Sequence, residues 1–491
     1  MTGEKFFLKQ KRYGGTITVF LTLSLTIIIS LLTGVIASAR DRSMRMRCEN
    51  AMDLGMLSVF GEYNRELLEQ FDLYFIDSSY GSDTGSAYKS GERLREYMGY
   101  NLNPAKGQYL TFARDLNKLS VEDVTMSMES LATDSGARVY KRQAIQYIKD
   151  KYGVSALEKL DKFEKEYKQY KIEEYDPEEE RRKAQKKLDD VGSVEDEDGN
   201  EVELDNPVEG VEDSSSAVMD ALFGDTEISG KSMDIGNLYS NRMPETGNGI
   251  VANTEDMDSV KNGLLFDLYL TDKFPNYTTP GEKADLSYEL EYILCGKDND
   301  KDNITATVAM MFALRYAANA LYILSSETVM AQAEAAAVAV SLATLCPEIK
   351  EPLTQVILYS WAFAESCVDM RTLLDGGKVP IIKSEESMVI DSVPKVIGYR
   401  LCLDDGKTVE TGLSYVNYMQ LLMLPVSQEK KLERSIDLIE NRLRNSEGNG
   451  NFKMDNCIEY LEAQVRIKSG FGREYLVKRA FGYMGMPKQS F

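Results

Sequence analysis

Residues 14–60 read GGTITVFLTLSLTIIISLLTGVIASARDRSMRMRCENAMDLGMLSVF. From Tyr13 to Ala39 no residue carries a charge. Ile17, Val19, Phe20, Leu21, Leu23, Leu25, Ile27, Ile28, Ile29, Leu31, Leu32, Val35 and Ile36 put apolar side chains on nearly every face. A helix rises ~1.5 Å per residue, so this run reaches about 40 Å, more than the roughly 30 Å hydrocarbon core of a bilayer. The interspersed Thr and Ser are tolerable because their hydroxyls bond back to helix carbonyls. A secretory leader has a shorter apolar core, about 7–15 residues. The length therefore favours a retained transmembrane helix over 14–39, although Ala37-Ser38-Ala39 also has the small-residue pattern of a cleavage site.

Lys5, Lys9, Lys11 and Arg12 precede the run with Glu4, and Arg40, Arg42, Arg45 and Arg47 follow it with Asp41 and Glu49. That near balance hardly sets an orientation. The terminal position, with no second clear span, favours a cytoplasmic N-terminus and an extracytoplasmic bulk: a single-pass protein of the cell membrane. Beyond the arginines, Met44, Cys48, Met52, Met56, Phe60, Tyr63 and Leu67 recur every three or four residues. This spacing predicts that the helix continues as an amphipathic stem to about Gln70.

The whole chain has 491 residues and a formal charge of −22. Residues 173–213 hold 18 Asp/Glu against 5 Lys/Arg, so most of the acidity is local. A general nucleic-acid binder needs clustered cations and is not expected. The absence of histidine excludes Ser-His-Asp and Cys-His catalysis and His-ligated zinc. The six cysteines include no CxxC pair and read as isolated buried thiols. No cofactor or metal is expected.

The predicted fold class is α+β, mainly helical. Residues 1–13 form a basic leader, and 40–170 form the stem and a small α+β lobe. That lobe has an extended piece at Leu73–Ile76, a helix from about Tyr88, a half-buried strand in LSVEDVTMSMESLA (119–132) and helical spacing over 136–170. Residues 171–216 are acidic and poor in large apolar side chains. They read as a flexible linker that lets two outer lobes move relative to each other. The run Asp196–Asn200 lacks the ligand spacing of a calcium loop. Residues 217–491 read as a domain rich in helical bundle. Within it, 300–375 divides into three helices at Ser325-Ser326 and Pro347, and Arg315, Glu334 and Glu365 argue against membrane spans there. Arg315 reads as a paired structural charge. KVPIIK (378–383) and VIGYRLCLDDGKTVETG (396–412) suggest short strands, residues 413–426 and 430–444 suggest helices, and NFKMDNCIEYLEAQVRIKSGF (451–471) alternates as a strand.

The basic leader, the paired glycine, the apolar helix and the Arg-rich turn before ENAMDLGMLSVF resemble the N-terminal module of TadE/TadG-like minor pseudopilins of Flp/Tad pilus systems. That resemblance covers about 60 residues. It implies candidate processing after Gly15, with Ala39 as the alternative cleavage position. Phe20 stands where a processed prepilin carries an acid. The pieces WAFAESCVDMRTLLDGGKVPIIKSEES, LSYVNYMQLLMLP and ERSIDLIENRL resemble a family of uncharacterised membrane proteins from Gram-positive bacteria, a domain of unknown function whose members share that N-terminus.

Trp361, Glu365 and Asp369 are spaced by four and share a helix face, and Lys378 and Lys383 follow across Gly376-Gly377. Paired carboxylates can act as acid and base. Nothing else converges on them, so a carboxylate–lysine cluster that pins the GGKVPIIK segment is the plainer reading, and no enzyme is expected. The expected function is a membrane-anchored extracytoplasmic structural or assembly protein of a Tad/Flp-type pilus or secretion system. Its expected partners are the lipid bilayer and other pilin-like or Tad-system membrane proteins. The alternative is a membrane-anchored surface binding or sensing protein with no pilus role.

Overall fold

In the computed structural model the described residues are 14–103, 117–153, 175–191, 215–224, 226–248, 257–282 and 284–484, with short pieces at 165, 194–195, 201–202 and 208. The leader 1–13, the Asp196–Asn200 run and about half of the segment expected to link two lobes lie outside them.

Helix α1 (Gly14–Phe60) is unbroken from the apolar run into the stem. As expected, threonine hydroxyls on the apolar run bond back, Thr22 to Val19 O (3.0 Å) and Thr26 to Thr22 O (2.7 Å). The helix does not reach Gln70. Gly61 follows it, and the Asn64 side chain accepts from the Leu67 amide (3.0 Å) and starts α2 (Arg65–Phe71) in a new direction. A competing cap, invisible to hydrophobic spacing, shortens the stem. Met44, Cys48, Met52, Met56 and Phe60 are buried on α1 as the spacing predicts, whereas Leu67 joins a different core.

Strand β1 (Ile76–Asp77) leads to α3 (Ala87–Leu102), which packs along the stem. The contact is close at Gly55, where a Cβ would meet Leu94 Cδ1 at 2.8 Å and Met98 Cγ at 2.9 Å. Strand β2 (Ser120–Leu131) then enters the body through α4 (Asp134–Tyr152).

Next comes a helix where the sequence predicts only linker. The Asp176 side chain accepts from the Glu178 and Glu179 amides (both 3.1 Å) and starts α5 (Pro177–Asp189). Pro177, Ala184 and Leu188 share one face and are buried. Three apolar residues at helical spacing suffice to dock a helix whose remaining positions are charged. A two-residue pair, β3 (Val194–Glu195) with β4 (Glu201–Val202), follows, and then α6 (Ser215–Phe223).

The remaining helices are α7 (Val260–Lys273), α8 (Glu289–Cys295), α9 (Asp300–Ser325), α10 (Glu327–Ala343) and α11 (Lys350–Leu374). The divisions fall at the predicted residues: the Ser326 side chain caps α10, and Pro347 opens a short turn before α11. Helix α11 is the axis of the body, buried on nearly all faces. Strand β5 (Lys378–Val379) pairs with β6 (Leu413–Ser414). Between them, residues 396–412 are not strands. Pro394 sits in the first turn of α12 (Val393–Ile397), and a 3-10 turn covers Tyr399–Asp405. Helices α13 (Tyr415–Met423) and α14 (Gln428–Arg444) complete the body.

The chain then returns to the stem. Strand β7 (Cys457–Lys468) lies antiparallel to β2, from Ser120↔Lys468 to Leu131↔Ile458, and its other edge pairs with β1 and with β8 (Glu474–Gly482). The central strand of the N-terminal lobe is therefore C-terminal in sequence. Alternation identifies a strand but not its partner, so the sequence places β7 in the wrong lobe. Ile458, Leu461, Ala463, Val465 and Ile467 bury against the stem face of α1 and against α3. Lobe and body are also bridged by Arg142–Glu459 (3.1 Å), Asn64–Asn449 (2.9 Å) and Gln143, which bonds both backbone groups of Tyr74. The C-terminal part, expected to lie wholly in the second lobe, thus supplies the central strand of the first, and Cys457 at its start belongs to the core of the body.

Candidate functional site

The apolar run and the stem occupy one helix but opposite surroundings. Ile17, Val19, Phe20, Leu21, Leu23, Leu25, Ile27, Ile28, Ile29, Leu31, Leu32, Val35 and Ile36 are all between 51% and 72% exposed. So many large apolar side chains left open on one element mark a surface meant for lipid or for a partner. By length and composition α1 can cross a membrane. Gly15 and Ala39 both lie on this uninterrupted helix, Ala39 exposed and Gly15 with open space around its Cα.

The polar cluster forms in the body, and its membership differs from the sequence reading. Glu365, Asp369 and Lys383 come together, with Lys383 Nζ 2.7 Å from Glu365 Oε1 and 2.7 Å from Asp369 Oδ1. Lys378 does not join them. It is exposed on β5, because pairing with β6 turns its side chain outward while Val379 faces the core. Trp361 is fully buried, and its Nε1–H donates to Ile390 O (2.7 Å).

Three groups the carboxylate spacing does not reveal complete the network. Arg315 on α9 donates to Asp369 Oδ2 (2.7 Å), to Ile381 O (2.7 Å), to Pro380 O (2.9 Å) and to the Tyr418 hydroxyl (3.0 Å). Asn319, one turn on, donates to Asp369 Oδ2 and to Ser366 Oγ, both at 2.9 Å. The i, i+4 spacing of Arg315 and Asn319 was the available signal. Glu365 also accepts from the Val389 amide (3.2 Å) and the Ile390 amide (2.8 Å).

Two cations face two carboxylates, and Arg315, Glu365, Asp369 and Lys383 are 0%, 0%, 1% and 6% exposed. Burial pushes the Asp369 carboxyl up, but Lys383 and Arg315 outweigh it and hold it below the usual range. Burial pushes the Glu365 carboxyl up against the pull of Lys383. Burial also works against the Lys383 ammonium, yet Asp369 and Glu365 keep its pKa raised. All four carboxylate oxygens already accept hydrogen bonds. These bonds join α9, α11 and the 378–390 segment into one buried network. Among the described residues no group of three or more Cys, Asp or Glu converges as metal ligands.

No curated relative and no solved structure matches the chain. Nothing found links it to TadE/TadG-like pseudopilins or to Flp/Tad pili. One family matches residues 197–469, which take in α6 to α14, the polar cluster and β7 but not the stem. Because that match covers more than half of the sequence, the chain belongs to the family of unknown function DUF5702.

Proposed function

We propose that this is a single-pass, membrane-anchored extracytoplasmic protein with a non-enzymatic role in envelope assembly, as a pseudopilin-like component of a Tad/Flp-type pilus or secretion apparatus. One observation carries the reading: a single helix passes without a break from an exposed apolar run into a stem clamped by a sheet. The stem also keeps Met46, Leu54 and Leu57 exposed on its outer side, an apolar stripe at helical spacing suited to a neighbouring stem. The bilayer and such neighbours are the partners this reading requires.

The test compares the full chain with one lacking residues 1–39. The full chain should stay in the membrane fraction through high salt, and the truncated chain should be soluble with an unchanged Tm. A soluble full chain, or a mature N-terminus beginning after Ala39, overturns the anchor. A photocrosslinker at Leu54 or Leu57 in cells should capture other membrane-helix subunits, and capture of none removes the assembly role. The surface-binding alternative draws support from a cleft of about 500 Å³ lined by Asp258, Asp267, Leu424 and Lys431.

A further inference from the structure

The β7–β8 hairpin ends in the turn Ser469-Gly470-Phe471-Gly472-Arg473, and this turn lies beside Arg40 and Asp41, the first residues after the charge-free run. The turn is rigidly built. The Ser469 amide donates to Arg473 O (2.8 Å), the Gly472 amide to Ser469 O (3.0 Å) and the Gly470 amide to Asn117 O (3.2 Å). Gly472 takes a φ of +77°, which favours glycine. Two contacts tie the turn to the helix: Arg473 to Asp41 (2.6 Å) and the Tyr475 hydroxyl to Asp41 Oδ1 (2.7 Å). The Arg40 guanidinium lies 3.5 Å from the centre of the Phe471 ring. Phe471 nevertheless remains 57% exposed, at the end of the lobe nearest the apolar run.

The surrounding charge is unlike that of the chain. Arg40 and Arg473 touch the tip, Arg45 acts on Asp41, Lys118 lies against Gly470, Lys468 pairs with Glu474, and Arg42 follows Asp41 on the helix, in a protein of net charge −22. The bonded residues Asp41 and Tyr475 are 434 positions apart, so only the fold assembles this basic collar. Its height is set by Ala39: if residues 14–39 span the hydrocarbon, Phe471 and the cations meet the headgroup layer. Aromatic rings are favoured at that depth, and juxtamembrane Lys and Arg attract anionic lipid.

We infer that the hairpin tip is a second contact with the bilayer. Phe471 seats at the headgroup–acyl boundary, and the basic collar takes the phosphates of anionic phospholipids. The anchor then both tethers the lobe and fixes its angle to the surface. This inference rests on the membrane-anchor reading above.

The test uses the full chain carrying Phe471→Trp, reconstituted in nanodiscs of phosphatidylglycerol or of phosphatidylcholine. Native Trp361 is fully buried and unreachable by lipid-borne quenchers, so it gives a constant background. A separate chain carrying Met243→Trp is the water-facing control. Met243 is 96% exposed, and its neighbours Arg242 and Glu245 bond to Asp455 at the opposite end of β7. The expected result is a blue-shifted emission from the tip variant F471W, quenched by brominated lipid and more strongly in phosphatidylglycerol. The phosphatidylglycerol preference should fall when Arg42, Arg45 and Lys468 are changed to Gln, with the M243W chain silent throughout. An F471W chain that enters nanodiscs yet stays as unquenched as the M243W control overturns the tip contact and leaves the anchor standing. Equal quenching in both lipids overturns the anionic-headgroup assignment. A chain that fails to enter nanodiscs at all overturns the anchor and this inference together.

Discussion

Two helices among the described residues are long and apolar enough to cross a membrane, α1 and α9, and the fold treats them oppositely. The apolar window of α1 has a mean hydropathy of 2.5 with none of it buried, whereas that of α9 has 1.4 with 61% buried. The decisive difference is what each does with charge. The α1 window has none to satisfy. Helix α9 carries Arg315 at its centre and has grown a full set of acceptors around it: Asp369, Asn319, Tyr418 and two backbone carbonyls. Such a charge is tolerable only where geometry supplies every partner, and protein supplies them here more completely than lipid would. Both helices pass the same test of length and hydropathy; the buried charge and its partners separate them.

The sharpest way to break this comparison is Arg315→Met, which raises the hydropathy of α9 and makes it resemble α1. The expected outcome is not insertion but a stability loss of about 3–5 kcal/mol, since Asp369 is left buried with Lys383 as its only cation. Chemical denaturation measures it, and a variant that moves α9 into lipid without destabilising the body would refute the distinction. Next in size is a paired substitution within α1. Met52→Ala should cost about 2–5 kcal/mol because Met52 is fully buried against the sheet. Leu25→Ala on the exposed run should change stability by less than about 0.5 kcal/mol. Similar costs at both positions would mean that the run is packed rather than open.

The smallest expected effect concerns a buried acid without a cation. Glu291 on α8 accepts from the Tyr277 amide (2.8 Å) and the Tyr415 hydroxyl (2.7 Å) through Oε1, while Oε2 is buried with no hydrogen-bond partner. Burial pushes its pKa up from 4.5 to about 7. The folded state thus holds this proton more tightly than the unfolded chain. Its stabilising contribution is fully present below about pH 4.5 and is lost as pH rises through about 7. Glu291→Gln should flatten the fall in unfolding free energy between pH 5 and 8 by roughly 2–3 kcal/mol. An unchanged pH profile would show that Glu291 is ionised throughout.

Local signals made much of the helical body legible. Ser326 and Pro347 punctuate α9 to α11, and period-two alternation marks β2. The polar cluster was half legible. Glu365 and Asp369 follow from helical spacing and Lys383 from its nearness along the chain, but a two-residue strand pairing turns Lys378 away, and Arg315 finds Asp369 from 54 positions distant. What the sequence hid is long-range pairing. Nothing local says that Cys457–Lys468 belongs between Ser120–Leu131 and Glu474–Gly482. Helix α5 escaped notice for a different reason: its few apolar residues are diluted by charge, although they share one face.

The placement of β7 has a consequence for how the protein is made. The stem of α1 emerges early, yet the strand that covers its apolar face begins about 400 residues later. At about 5–20 residues per second that gap lasts roughly 20–80 s. Throughout it Met44, Cys48, Met52 and Met56 have at most α3 and β2 to cover them, without the strands that complete their core. Completion of the N-terminal lobe is therefore the last event of synthesis rather than the first. Any chain released before Cys457 would lack the central strand of that sheet and leave part of the stem's apolar face open.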